Sequence, residues 1–61
     1  MRKRIKALAA ERGMTITEVE RKSGLMPGTI RRWDKHIPRA DNLAAVADVL
    51  GTTSEYLLGV S

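Results

Sequence analysis

Apolar residues at helical spacing limit the possible folds of this chain more than any other feature. The spacing i, i+3, i+4, i+7, which lines one face of a helix, describes Leu43, Val46, Ala47 and Leu50. No stretch of four or more residues alternates strictly enough between apolar and polar, with β-branched enrichment, to predict a strand. We therefore predict an all-α fold.

The length of the chain limits it to one small domain. A chain of 61 residues buries only a small core, and without cysteines it forms no disulfide and no thiolate metal site. Its single histidine, His36, cannot build a metal coordination shell alone. We expect one domain over residues 1–61, held together by apolar packing in a reducing compartment, with no metal and no cofactor.

Start and stop signals place the first two helices. Gly13 suits the left-handed residue that ends a helix, so we predict a first helix over about residues 2–12. Thr15 and Glu18 fit a capping box, in which each side chain accepts a hydrogen bond from the other's backbone N–H. This box opens a second helix, which stops at Ser23-Gly24.

Prolines and glycines also divide the second half of the chain. Pro27 suits the first turn of a helix, where its missing N–H costs nothing, so the third helix is predicted from Pro27 to about Lys35. Pro38 interrupts the pattern, and the apolar stripe then predicts a fourth helix that Gly51 closes. A short fifth helix, Ser54–Leu58, is expected to cover the core. Its large apolar residues are Tyr56, Leu57 and Leu58.

The charge balance favours an anionic partner. Eleven Lys and Arg residues against seven Asp and Glu give a net charge of +4, which suits a polyanion such as nucleic acid. The basic N-terminus is not followed by the apolar run of a secretory signal, and no segment is apolar enough to cross a membrane. A soluble protein of the cytoplasm, with no membrane partner, is therefore expected.

The second and third predicted helices have the arrangement of a helix-turn-helix. Residues Ser23–Met26 separate them, and the glycine in this segment allows a sharp turn. If Ile30 and Trp33 point to the core, the helical period places a second set of residues on the opposite face. That set is Gly28, Arg31, Arg32 and Lys35. The spacing thus predicts a positively charged, outward-facing helix surface.

Short motifs in order along nearly the whole chain carry a family resemblance. They are Arg4-Ile5-Lys6 with Leu8, Gly13-Met14-Thr15, Lys22 to Leu25, Thr29 to Trp33, Asn42-Leu43, and Leu50-Gly51 with Tyr56 to Gly59. In this order and spacing they resemble the lambda repressor and Cro-like, or XRE-like, helix-turn-helix regulators. The second helix reads Ile-Thr-Glu-Val-Glu from Ile16 to Glu20, which is similar to a subgroup of phage and mobile-element repressors.

The resemblance implies a five-helix lambda-repressor-like domain whose second and third helices form the helix-turn-helix. The third helix, over about residues 27–35, would lie in the major groove of double-stranded DNA. The matching base-reading positions are Pro27, Gly28, Thr29, Arg31 and Arg32. Arg32 ranks first and Arg31 second, because arginine donates two hydrogen bonds to guanine O6 and N7. Thr29 would contact a thymine methyl group or a phosphate.

The resemblance also implies phosphate contacts and a mode of assembly. The matching phosphate positions are Thr15, Ile16 and Thr17 at the start of the second helix, and Lys35, His36 and Arg39 after the third. A transcriptional repressor, bacterial or phage-encoded, that binds a pseudo-palindromic site as a homodimer is the expected function.

Three features depart from the family pattern, and one is that Pro27-Gly28 puts no side-chain hydrogen-bonding group where members often have polar base-reading residues. Ile16 stands where many members carry a phosphate-binding glutamine, so Thr15, Thr17 or backbone N–H groups would have to make that contact. Many members also pair an arginine of the first helix with an acid at the end of the third. Here Ala9 faces Asp34, so we expect that buried ion pair to be missing.

Other classes of function are weighed against this interpretation. No acid–histidine–nucleophile order stands out, so we predict neither an enzyme nor a small-molecule site. A protein-interaction module such as an antitoxin, and a trimmed or engineered DNA-binding scaffold, remain alternatives. Leu57 and Leu58 are interpreted as residues that cover the core rather than as part of a dimer contact with Val60.

Overall fold

The computed structural model describes residues 1–59, which form five helices and no strand. In chain order they are α1 (Arg2–Glu11), α2 (Ile16–Lys22), α3 (Thr29–Arg32), α4 (Ala40–Leu50) and α5 (Ser54–Leu58). The predicted all-α fold and the number of helices are confirmed.

One apolar core holds the five helices together. Each helix contributes at least one buried side chain, and α4 contributes the most, with the four residues of the predicted stripe. The core residues are Ile5, Ala9, Val19, Ile30, Trp33, Leu43, Val46, Ala47, Leu50 and Leu57. α4 packs against α1, α2 and α5, whereas α3 packs mainly on α2. The candidate recognition segment, by which we mean α3 with the turns on either side of it (residues 27–36), is therefore attached to the domain chiefly through α2.

Side-chain caps begin two of the helices, the first of them at the position that the sequence predicts. At the start of α2 the Thr15 Oγ1 accepts the Glu18 N–H at 3.2 Å, and the Glu18 Oε1 accepts the Thr15 N–H at 3.1 Å. At the start of α5 the Thr53 Oγ1 accepts the Tyr56 N–H at 3.1 Å. Gly51, with φ 67°, ends α4 in the left-handed conformation.

α5 covers the core with fewer residues than we expect from the sequence. Leu57 is fully buried, but Tyr56 and Leu58 are 40% and 46% exposed. The prediction for these two is wrong, because a five-residue helix lying on the core turns only one side of itself inward. The guanidinium of Arg4 lies 4.7 Å from the centre of the Tyr56 ring, and its Nη1 donates to the Tyr56 carbonyl at 3.1 Å. Val60 lies outside the described residues.

An ion pair connects α1 to the end of the recognition segment. Arg2 Nη1 donates to Asp34 Oδ2 at 2.7 Å, with the two side chains 41% and 47% exposed. The sequence analysis expects no buried pair from Ala9 to Asp34, and it does not predict this exposed pair from Arg2. The pair starts from Arg2, two turns before Ala9, and it is half-exposed rather than buried. At this exposure it stabilises the fold by no more than about 1 kcal/mol.

Candidate nucleic-acid interface

A tight turn, rather than the first turn of a helix, precedes α3. The Thr29 N–H donates to the Met26 carbonyl at 3.2 Å, and Gly28 has φ 88° and ψ −4°. These are the features of a type II turn, with Pro27 at its second position and Gly28 at its third. The helix therefore begins at Thr29, and the predicted start at Pro27 is wrong. Pro-Gly satisfies the turn because proline presets the second φ and glycine accepts a positive third φ.

The regular part of the recognition segment is short. α3 has four residues, and the chain continues from Trp33 to His36 in tighter turns. The Lys35 N–H donates to the Arg32 carbonyl at 3.1 Å, as in a 3₁₀ turn, and the His36 N–H reaches the same carbonyl at 3.0 Å. The predicted helix to Lys35 is therefore one α-helical turn followed by irregular turns.

The two arginines of α3 lie on its outer side. Ile30 is fully buried and Trp33 is 8% exposed, so the predicted inner face is confirmed. Arg31 and Arg32 are exposed, and neither makes an ion pair or a side-chain hydrogen bond within residues 1–59. Their five-donor guanidinium groups are therefore available to an external acceptor.

The hydroxyl of Thr29 is already engaged within the turn. Its Oγ1 donates to the Met26 carbonyl at 2.6 Å, and the residue is half-buried. A hydroxyl has one proton to donate, so this group can offer an external partner only an acceptor lone pair. A phosphate oxygen is itself an acceptor. Of the two contacts expected for Thr29, the geometry therefore favours the thymine methyl group.

The start of α2 presents the first set of predicted phosphate-binding residues. Thr15 is committed to the capping box, since its hydroxyl also lies 3.4 Å from Glu18 Oε1. Ile16 is half-buried and packs against the core, while Thr17 is exposed. The backbone N–H groups of Ile16 and Thr17 have no acceptor within the described part of the chain. These two groups and the Thr17 hydroxyl remain as donors.

The segment after α3 presents the second set of predicted phosphate-binding residues. Lys35, His36 and Arg39 are all exposed. Arg39 Nε lies 3.7 Å from Asp41 Oδ1, with side-chain exposures of 83% and 75%. So long and exposed a pair is weak, and it leaves the Arg39 guanidinium able to exchange partners.

Basic residues of α1 extend the positive surface beside the recognition segment. Arg2, Lys3 and Lys6 line an open cavity of about 250 Å³ together with Asp34. Because Arg2 neutralises Asp34, Lys3 and Lys6 carry the excess charge at this edge.

The sequence interpretation missed one residue of this region, Glu20. It is 3% exposed, and its two carboxylate oxygens accept backbone N–H groups at the start of the recognition segment. Oε1 accepts from Gly28 at 3.2 Å and Oε2 accepts from Ile30 at 2.9 Å. The signal that could have found it is a carboxylate beside Val19 on the inner side of α2. The segment before α3 also carries no side chain able to cap it.

The described residues contain neither a membrane-spanning helix nor a cluster of metal ligands. No helix between residues 1 and 59 is long and apolar enough to cross a membrane. Over the same range, no group of three or more metal-ligating side chains lies close enough together to hold a metal ion.

Comparison with known proteins finds a matching family model. The family model of the Cro/C1-type HTH DNA-binding domain matches residues 4–60 of the chain. Comparison with curated proteins and with solved structures yields no match. The family match covers α1 from Arg4 onward, the other four helices, and both sets of predicted phosphate-binding residues.

Proposed function

This chain belongs to the family of Cro/C1-type helix-turn-helix (HTH) DNA-binding domains, and on that premise we propose that it is a sequence-specific transcriptional repressor. The recognition segment enters the major groove of double-stranded DNA. The observation that carries the proposal is the pair of exposed, unpaired guanidinium groups of Arg31 and Arg32 on a helix whose other side is buried. DNA supplies the acceptors that the described part of the protein does not.

The base-reading part of the proposal depends on α3 and the turn before it. Arg32 donates to a guanine through O6 and N7, and Arg31 is the second candidate for such a contact. Pro27 and Gly28 have no side-chain donor, so they allow close approach to the bases instead of reading them. Thr29 contacts a thymine methyl group, since its hydroxyl proton is engaged by Met26. Specificity therefore rests mainly on the two arginines.

The phosphate-binding part of the proposal depends on the segments on either side of α3. On one side, Thr17 and the backbone N–H of Ile16 bind a phosphate, and Thr15 holds the capping box rather than DNA. On the other side, Lys35, His36 and Arg39 contact the phosphate backbone through exposed side chains. These contacts set the register of the domain on DNA and supply most of its salt-dependent affinity.

We also propose that two copies bind a pseudo-palindromic site, with half-sites about one helical turn apart. Both the family and the short recognition segment support this, because one domain with few base contacts reads too little sequence alone. A single domain over the whole chain, a phage or mobile-element origin and action in the bacterial cytoplasm belong to the same proposal.

The experiment that tests the proposed function is selection of a random double-stranded DNA library on the protein at about 150 mM salt, where non-specific binding is weak. We expect an enriched motif that contains a guanine and, if two copies bind, a two-fold repeat. Recovery of no motif would contradict sequence-specific binding and would favour the alternative of a protein-interaction module. A motif that is unchanged after both Arg31→Ala and Arg32→Ala would contradict the assignment of base reading to α3.

A further inference from the structure

The hydrogen bonds within the recognition segment are too few to fix the orientation of its start. α3 is a single helical turn, and a helix this short is not stable without external contacts. Its N-cap, Gly28, has no side chain, and Met26 and Pro27 before it carry no strong acceptor. The N–H of Ile30, a fully buried residue, would therefore lose its hydrogen bond without a partner from another helix.

Glu20 of α2 supplies that partner and a second one. Its Oε2 accepts the Ile30 N–H at 2.9 Å and its Oε1 accepts the Gly28 N–H at 3.2 Å. The carboxylate is almost completely buried, and hydrogen bonds to a buried charge are stronger and more directional than those between neutral groups. α3 packs mainly on α2, and within the described residues these two bonds are the side-chain hydrogen bonds that join α2 to the start of α3.

We propose that Glu20 is a positioning residue for DNA recognition. Its carboxylate sets the direction in which the recognition segment leaves the turn, and therefore where Arg31 and Arg32 meet the base edges. This inference rests on the proposed function. Bidentate contacts tolerate displacements of only about 0.5 Å in the groups that make them, so a helix held at its first turn presents them more accurately than one that pivots.

The same contact decides what the start of α3 offers to DNA. The N–H groups of Gly28 and Ile30 are taken by Glu20, and that of Thr29 by the Met26 carbonyl. These three backbone donors are therefore unavailable to a phosphate, and recognition depends mainly on groups further along the segment. For DNA recognition, the angle of the segment therefore matters more here than the partial positive charge of the N–H groups at its start.

The test compares Glu20→Gln with the charge-matched control Glu11→Gln, which removes a carboxylate at an exposed position of α1. Glutamine has nearly the same shape, but its amide has one oxygen and an NH₂ group, so it accepts one of the two N–H groups and opposes the other. Affinities are measured on the selected site and on a motif-free duplex of equal length, at a temperature where circular dichroism shows each protein fully folded. Amide hydrogen exchange of Gly28 and Ile30 is followed without DNA.

For Glu20→Gln we expect faster exchange at Gly28 or Ile30 and a fall of about fivefold or more in the ratio of specific to non-specific affinity. The control, Glu11→Gln, should keep the exchange rates and the affinity ratio at their wild-type values. Unchanged exchange would contradict the hydrogen bonds themselves. Faster exchange with a wild-type affinity ratio would overturn the proposal and leave Glu20 a purely structural residue.

A second variant keeps the test decisive if Glu20→Gln does not fold. Glu20→Asp retains the charge but withdraws the carboxylate by one methylene, and we expect a lowered affinity ratio for it as well. A wild-type ratio in Glu20→Asp, or failure of both variants to fold, would overturn the positioning role. If the wild-type protein enriches no motif, the proposed function itself is contradicted. If the wild-type protein enriches a motif and the Glu20 variants keep the wild-type affinity ratio, only the positioning role is contradicted.

Discussion

α4 and α3 show two ways in which this chain holds a helix in place. α4 has 11 residues and buries four of them, so its own hydrogen bonds and its apolar stripe define both its extent and its orientation. α3 has four residues and buries only Ile30. It is held by the Pro27-Gly28 turn before it and by the carboxylate of Glu20 beneath it.

The difference separates stability from recognition. Substitutions in α4, which contributes most to the core, should affect folding. α3, which is proposed to read DNA, contributes little to the core. A short exposed segment can change its outward residues without loss of the fold, provided that the contacts at its start are kept. Four sets of substitutions, from the largest expected effect to the smallest, test this separation.

Leu50→Ala should have the largest effect and should act through folding. Leu50 is fully buried at the end of α4, and truncation of a buried leucine costs about 2–5 kcal/mol, a large part of the stability of so small a domain. Urea unfolding followed by circular dichroism measures the loss, with the exposed Asp48→Ala as a control on the same helix. A loss below about 1 kcal/mol would show that α4 does not dominate the core.

Arg32→Ala should act on recognition and leave the fold intact. Loss of a bidentate contact costs about 1–3 kcal/mol on the selected site and relaxes one position of the motif, while binding to motif-free DNA changes little. Competition binding on both duplexes measures the effect, and Arg21→Ala, an exposed arginine in the last turn of α2, is the matched control. Equal weakening on all DNA would reassign Arg32 to a phosphate contact.

Gly28→Ala and Gly51→Ala compare the two helices directly. Both glycines have positive φ, 88° and 67°, so either substitution should cost about 1 kcal/mol of folding free energy. A Cβ at Gly28 would meet no described atom within 4 Å, and one at Gly51 would lie 3.4 Å from Nη2 of Arg12, at the far end of a long side chain. Only Gly28→Ala should also lower the ratio of specific to non-specific affinity. The same ratio in both variants would mean that the turn does not orient α3.

Lys35→Ala and Arg39→Ala should have the smallest effect, visible mainly in the salt dependence. If each residue neutralises one phosphate, its removal reduces the slope of log affinity against log salt by about 0.9 without a change of motif. Fluorescence anisotropy across a salt series measures the slope, and neither variant should change the urea midpoint, because both side chains are exposed. An unchanged slope would remove that residue from the phosphate-binding set.

Much of the fold and of the exposed surface could be predicted from local patterns. The helix periods, the Thr15–Glu18 box and the glycine that ends α4 involve residues no more than one or two turns apart, so their physics is contained in a short stretch of sequence. The burial of Ile30 and Trp33, and hence the exposure of the two arginines, follows from the same period.

Local patterns decided less where two structures compete for the same residues. Pro27 is compatible with the first turn of a helix and with the second position of a type II turn, and the glycine after it is more favourable in the turn. The short length of α5 likewise left open which of its apolar residues would reach the core, and only Leu57 is buried.

From the sequence alone follow the all-α fold, its five helices, the positive outer side of the third and the family resemblance. Only the tertiary structure decided how that third helix is held. Arg2 meets Asp34 across 32 positions of the chain, and Glu20 meets Ile30 across 10. Contacts of this kind leave no periodic signal, because they depend on the angle at which whole helices pack, and that angle is set by the core as a whole.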